Sequence, residues 1–282
     1  MVDLTAAASA DPSLSPPVAT SLTSMEDLAH AGPEGLATCE RLFEQAVDQS
    51  DLRYSLDSVE LGPPLRYPSQ IVAIGRNYAD HTSEARAALP ELPRLFAKWP
   101  STVVGPGADI LKPSRTAQLD WEVELAVVMG RHTRAVPPAE ALNAVFGYTI
   151  LNDVSARDIQ FSKPEQLTLA KNFRTFTPLG GSLVTADEVP DPGSVTVRSW
   201  LNGTLMQDSS TKYLIFDVPS LISFVSNVTD LYPGDIISTG TPSGVGYFRD
   251  PPVFLNDGDQ LRMQLLLGDD VLCELTNPVA NA

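Results

Sequence analysis

Between Leu119 and Leu125 the chain alternates strictly: Leu119, Trp121, Val123 and Leu125 are apolar, and Asp120, Glu122 and Glu124 between them are acidic. A strand sends successive side chains to opposite faces, so this stretch reads as a strand with one face in a core and three carboxylates on the other. Same-face neighbours lie about 7 Å apart, where two unit charges repel by roughly 2 kcal/mol at an effective dielectric near 20. Water over an edge strand would relieve this, and so would a cation. Asp153 favours the cation, because it ends the apolar run 145–152 and a carboxylate buried there without a partner is costly. Carboxylates with no Cys or His cluster beside them select a hard ion, Mg²⁺ or Mn²⁺, rather than zinc.

The 282 residues include 35 acidic against 19 basic ones, a net charge of −16, which argues against a nucleic-acid partner. The same charge repels anionic substrates, so any such substrate needs a locally positive pocket. No run of 18 apolar residues suggests a membrane span, residues 1–20 carry no Lys or Arg, and Cys39 and Cys273 lie far apart. An untargeted protein of the reducing cytoplasm is expected.

Residues 1–20, rich in Ala, Ser, Pro and Asp, predict a loosely attached arm. Helical spacing follows over 25–51, with Leu36, Cys39, Leu42, Phe43 and Val47 on one stripe, and 54–65 reads as a short strand and linker. These form a small N-terminal domain, 1–67, ahead of a main domain, 68–282. In the latter, strands are predicted at 71–75, 102–104, 120–129, 145–152, 181–185, 195–201, 235–239 and 260–267, and helices over 77–89 and 214–228. Strands and helices do not alternate regularly, which points to a β-rich mixed α/β fold with the sheets wrapped into a roll and helices as accessories.

Three further groups carry chemistry. Glu84 follows His81 by three residues, adjacent on a helical face; the pair is either a surface contact or a dyad in which Glu84 orients a proton-accepting imidazole. Lys171, one of five lysines, sits among apolar and aromatic residues, where it either snorkels or is paired. Arg157 and Gln160 follow Asp153 on one helical face and could hold a carboxylate near the cation. The loop 238–246, Ser-Thr-Gly-Thr-Pro-Ser-Gly-Val-Gly, lacks the lysine of a P-loop but offers backbone N–H groups and the Thr241 hydroxyl to a small anion.

Taken in order, Gly75-Arg-Asn-Tyr-Ala-Asp-His81, Glu122-x-Glu124, Asn152-Asp-Val-Ser-Ala-Arg-Asp158, Lys171-Asn-Phe with Thr177-Pro-Leu-Gly180, and Thr239-Gly-Thr-Pro-Ser-Gly-Val-Gly246 resemble the fumarylacetoacetate hydrolase family from about residue 68 onward. The resemblance implies that family's mixed β-sandwich roll and a homodimer. It implies Mg²⁺ or Mn²⁺ on Glu122, Glu124 and Asp153, with Asp120 a neighbour. His81 and Glu84 become a dyad on a segment that orders over substrate, Lys171 a catalytic cation, and Arg157, Gln160 and Thr241 substrate contacts. Arg174 and Thr177 depart from the usual residues and would alter the pocket rim, and Ile74 stands where the founding enzyme has a fourth carboxylate.

The activity expected first is metal-dependent hydrolysis of the C–C bond of a 2,4-dioxo acid, an acylpyruvate. His81 and Glu84 would activate water, and the metal and Lys171 would stabilise the expelled pyruvate enolate. Decarboxylation of an oxaloacetate-type β-keto acid and isomerisation of a dienoic 2-oxo acid use the same enolate. A non-catalytic metal-binding scaffold is the remaining reading.

Overall fold

In the computed structural model, which describes residues 1–11, 14, 23–84 and 88–282, two sheets face each other. The larger runs Val184–Thr185, Val145–Asn152, Val123–Met129, Ile236–Ser238, Ile71–Gly75 and Arg94–Lys98 from edge to edge. All its pairings are antiparallel except that of Ile71–Gly75 with Ile236–Ser238. The smaller runs Thr204–Ser210, Val195–Leu201, Gln260–Leu267, Asp270–Asn281 and Ile110–Lys112. This is the β-rich mixed fold expected from the residue pattern.

The central strand Val123–Met129 is buried on both sides. Val123, Leu125, Val127 and Met129 point into the core between the sheets, against Val197, Met263, Leu265 and Leu275. Ala126 and Val128 point the other way, into a second core closed by Ala7, Ala8, Leu28, Ala29, Leu42, Ala46 and Leu65. The N-terminal helices are thus a layer on the outer face of the larger sheet, and residues on either side of the expected division at 67 share one core.

Several elements differ from the sequence reading. The expected loose arm contains a helix, Leu4–Ala10, whose Asp3 cap accepts from Ala6 N at 2.8 Å and whose Ala7 and Ala8 are buried. Residues 12, 13 and 15–20 of that arm, and residues 85–87 of the predicted helix 77–89, lie outside the described residues. The helix Met25–Ala46 is kinked at Gly32, φ 58°, ahead of Pro33. Its buried stripe is Leu28, Ala29, Gly32, Gly35, Leu42 and Ala46, so Phe43 faces water. Residues 54–65 hold one short helical turn, Leu56–Ser58, and no strand, since their mostly exposed side chains have no sheet face to bury against.

The predicted strand 120–129 breaks after Asp120. Leu119–Asp120 pairs with Ser155–Ala156, and Val123–Met129 enters the larger sheet. At the break Asp120 turns its carboxylate onto Trp121 N at 2.9 Å, and Glu122 N donates to the Asn152 side chain at 3.1 Å instead of to a neighbouring strand.

Candidate active site

Register alone assembles the carboxylates. Val123 faces Asn152 and Glu124 faces Leu151, so Glu122 comes opposite Asp153, whose N–H donates to Glu122 O at 2.9 Å. Glu124 lies two residues further on the same face. The three residues offer ligand oxygens within 4.8 Å of one another, and all three are buried. The apolar face behaves as expected: Leu119, Trp121, Val123 and Leu125 are fully buried.

Cations crowd this cluster. Lys171, which caps the short helix Leu167–Ala170, donates to Glu122 Oε2 and Asp153 Oδ2, both at 2.7 Å, and lies 5.5 Å from the centre of the Phe96 ring. Lys98, at the end of the edge strand Arg94–Lys98, donates to Asp153 Oδ1 at 2.6 Å and to Lys171 O at 2.7 Å. Arg157 forms ion pairs with Asp120 Oδ2 at 2.8 Å and Glu122 Oε1 at 2.7 Å, and donates to Gln160 Oε1 at 2.9 Å. Asp120 also accepts from Gly246 N at 2.7 Å and Tyr247 N at 3.0 Å. It therefore orders the arginine and the glycine-rich loop.

The consequences for protonation divide the triad. Burial works to raise the Glu122 carboxyl, but Lys171 and Arg157 outweigh it and hold this group well below the usual range. Burial raises the Glu124 carboxyl, and the charges of Asp153 and Glu122 raise it further. Among the described residues Glu124 accepts from Ser238 Oγ at 2.5 Å and Gly240 N at 2.9 Å, both on one oxygen, and it forms no ion pair, the charge of Lys171 offsetting only part of the rise. A buried carboxyl short of positive charge, beside two others and with an oxygen to spare, suits a hard divalent ion, so the donor set fits the metal the sequence suggested. Burial also presses Lys98 toward neutrality against the pull of Asp153, whereas at Lys171 the attraction of Asp153 and Glu122 exceeds the burial penalty and raises it.

His81 lies on the short helix Ala79–Glu84, buried, with its ring edge-on to Phe248 at 5.8 Å. Its Nδ1 is 3.3 Å from Glu84 Oε2, and Glu84 is itself held by Gly244 N at 3.1 Å. A carboxylate at Nδ1 assigns the ring proton there and leaves Nε2 as the accepting nitrogen. Asp80 Oδ2 accepts from Ser243 Oγ at 3.0 Å, so the helix is fastened to the glycine-rich loop at two points. Thr241 donates its hydroxyl to Val123 O at 3.0 Å and accepts from Gln207 Nε2 at 2.8 Å, which fixes the loop against the acidic strand.

The structure brings His81, Glu122, Glu124, Arg157, Gln160, Lys171 and Thr241 to the wall of one cleft, with Asp153 at its base behind Lys171 and Glu84 behind His81. Lys98 is the residue the sequence reading missed. Its signal was its place two residues past Phe96 in a short alternating strand, where Arg94, Phe96 and Lys98 share a face. Of the two departures noted in the sequence, Arg174 is exposed and Thr177 is fully buried, hydrogen-bonded to Thr102 at 2.6 Å, and neither is among the residues lining this cleft.

Comparison with known proteins agrees with this geometry. A family model described as fumarylacetoacetate (FAA) hydrolase C-terminal matches residues 70–280. Oxaloacetate tautomerase FAHD2B, mitochondrial, from Bos taurus is 45% identical over 203 residues, 72% of this chain and 65% of that protein. Oxaloacetate tautomerase fahd2, mitochondrial, from Xenopus laevis is 40% identical over 256 residues, 90% of this chain and 78% of its own. Among solved structures, 2-hydroxyhepta-2,4-diene-1,7-dioate isomerase from Mycobacterium marinum superposes with a TM-score of 0.69 at 36% identity, over 81% of this chain and 80% of that one. The chain thus spans just under two thirds of the bovine relative. No helix among the described residues is long and apolar enough to cross a membrane, and both cysteines are free thiols.

Proposed function

Because this chain belongs to the fumarylacetoacetate hydrolase family, we propose that its cleft moves a proton on an enolisable 2-oxo acid, interconverting enol and keto forms of an oxaloacetate-type or dienoic substrate. The observation that carries this reading is His81, its Nδ1 held by Glu84, in one cleft with Lys171 and the carboxylate triad. Relatives named for tautomerisation and isomerisation support it over acylpyruvate hydrolysis, which the same residues could perform with an activated water.

Each residue has a part. Nε2 of His81 accepts the proton from the enol oxygen, or in the reverse direction from the α-carbon, and delivers it to the other of these two atoms, and Glu84 stabilises the charged imidazole meanwhile. Lys171 Nζ, already between two carboxylates, offers its positive charge to the developing enolate. Arg157 and Gln160, bonded to each other beside the triad, would give up part of that contact to take the substrate carboxylate. Phe96, Phe161 and Phe248 line the cleft and keep water from the proton in transit. A divalent ion, Mg²⁺ or Mn²⁺, on Glu122, Glu124 and Asp153 would supply Lewis acidity toward the 2-oxo group. The homodimer and the cytoplasmic setting belong to the same proposal, and sedimentation and cell fractionation test them.

The test follows Mg²⁺-loaded protein with oxaloacetate by the ultraviolet absorption of the enol, with pyruvate release and acetylpyruvate cleavage measured in parallel. Fast enol loss that His81→Ala abolishes is the expected result. Acetylpyruvate cleavage faster than enol loss would replace the proposal by hydrolysis. Pyruvate release that survives His81→Ala, without enol turnover, would replace it by decarboxylation.

A further inference from the structure

The edge strand Arg94–Lys98 lays one face along the whole cleft. Lys98 reaches Asp153, Phe96 sits near Lys171, and Arg94 emerges at the mouth. Strand residues four apart are separated by about 13 Å, so Arg94 starts at the far end of the cleft from the triad. Gly75 is its register partner on the neighbouring strand, and Arg76 follows immediately with φ 59°. This left-handed conformation is unfavourable for an arginine. It is held in place by Asn77, whose side-chain amide donates to Phe216 O at 3.0 Å and Thr239 O at 2.8 Å.

Both arginines line the cleft that His81 and Lys171 line, and neither is spent on the protein. Among the described residues Arg76 forms no ion pair, and Arg94 has only Glu165, at 3.7 Å, a long contact between a partly exposed arginine and a largely exposed glutamate. The same cleft is also lined by apolar Ile74, Phe161, Leu167 and Phe248. The cleft therefore carries two unneutralised guanidinium groups apart from the triad end, with apolar side chains on its wall, in a protein of net charge −16.

We propose that Arg76 and Arg94 form the subsite for a second carboxylate, at the end of the substrate remote from the triad, and so select 2-oxo diacids over 2-oxo monoacids. This rests on the reading of the triad end given above. A guanidinium fork matches a carboxylate in shape and charge, and two forks at one rim repel each other until an anion bridges them.

The test is calorimetric binding of 2-oxoglutarate and 2-oxovalerate, a diacid and a monoacid with equal numbers of carbons, to the intact Mg²⁺-loaded protein. A charge-assisted hydrogen bond is worth about tenfold or more in affinity, so wild type should prefer the diacid by at least about that factor. Arg76→Asn, which tolerates the left-handed backbone, and Arg94→Gln should each remove most of the preference while 2-oxovalerate binds as before. Arg76→Lys should keep part of it. A wild type without preference, or a preference that survives both substitutions, overturns the subsite and leaves the triad reading intact. Failure of both acids to bind overturns the triad reading, and the subsite with it.

Discussion

Lys98 holds one oxygen of Asp153, at 2.6 Å, while Lys171 holds the other at 2.7 Å, so the strand-end carboxylate is pinned between two buried ammonium groups. Removing one of them leaves buried charge undercompensated. Lys98→Met should destabilise the fold on the order of 3 kcal/mol, as loss of one partner of a buried pair does. Adding Asp153→Asn should recover part of that loss, because the double variant buries no orphaned charge. Urea unfolding of the two single variants and the double variant measures this coupling, and strict additivity would show that the pair is energetically idle.

Glu124 predicts a pH dependence for metal affinity. Burial and the charges of Asp153 and Glu122 raise its carboxyl above the ordinary range, so at lower pH a proton occupies the group and at higher pH it is free to ligate. Affinity for Mg²⁺ or Mn²⁺ should therefore rise with pH through that raised value, with proton release on binding. Calorimetry in buffers of different ionisation enthalpy reads the released proton directly. Glu124→Gln should weaken binding and abolish the release.

The acidic alternation 119–125 and the apolar run ending at Asp153 were enough to foresee a crowd of carboxylates, whereas the choice of Glu122, Glu124 and Asp153 over Asp120 came from the family resemblance, since period two alone puts Asp120 on the same face and does not show the break after it. The strands 195–201 and 260–267 were legible from the same alternation, and 145–152 as a continuous apolar run buried on both faces. The strand Asp270–Asn281 was missed although Cys273, Leu275, Asn277 and Val279 alternate, since polar Asn277 and the neighbouring Pro278 interrupt an apolar count without interrupting burial. Lys98 was hidden because its role depends on a strand edge packing beside Asp153, 55 residues away in sequence. Likewise, nothing local in Glu84 announces that Gly244 N will hold it.

That contact makes Glu84 a positioning group with a measurable effect. Glu84→Gln keeps the shape but removes the charge that stabilises a protonated imidazole, and it should lower kcat on the order of a hundredfold, within the usual range for general-base catalysis. KM and metal affinity should stay near wild type, because Glu84 touches neither the triad nor the rim. A variant that lost metal instead would show that the short helix supports the acidic strand and not the imidazole.

Gly246 ties the glycine-rich loop to the arginine of the site. Its N–H donates to Asp120 Oδ1 at 2.7 Å, and an added Cβ would stand 1.9 Å from Val253 O and 2.8 Å from that same carboxylate oxygen. The Val253 carbonyl is backbone and cannot swing aside, so Gly246→Ala must push the loop outward. Asp120 then loses a donor, and Arg157, which shares it, is freed to shift. The overpacking should cost about 1–3 kcal/mol in stability, and activity should fall with it as Arg157 moves. At Gly62 an added Cβ meets nothing within 4 Å, so Gly62→Ala should change stability by no more than about 0.5 kcal/mol. Thermal unfolding and kcat/KM of the two variants side by side decide the matter: equal behaviour at both positions would mean that the loop yields to the methyl group without disturbing Asp120.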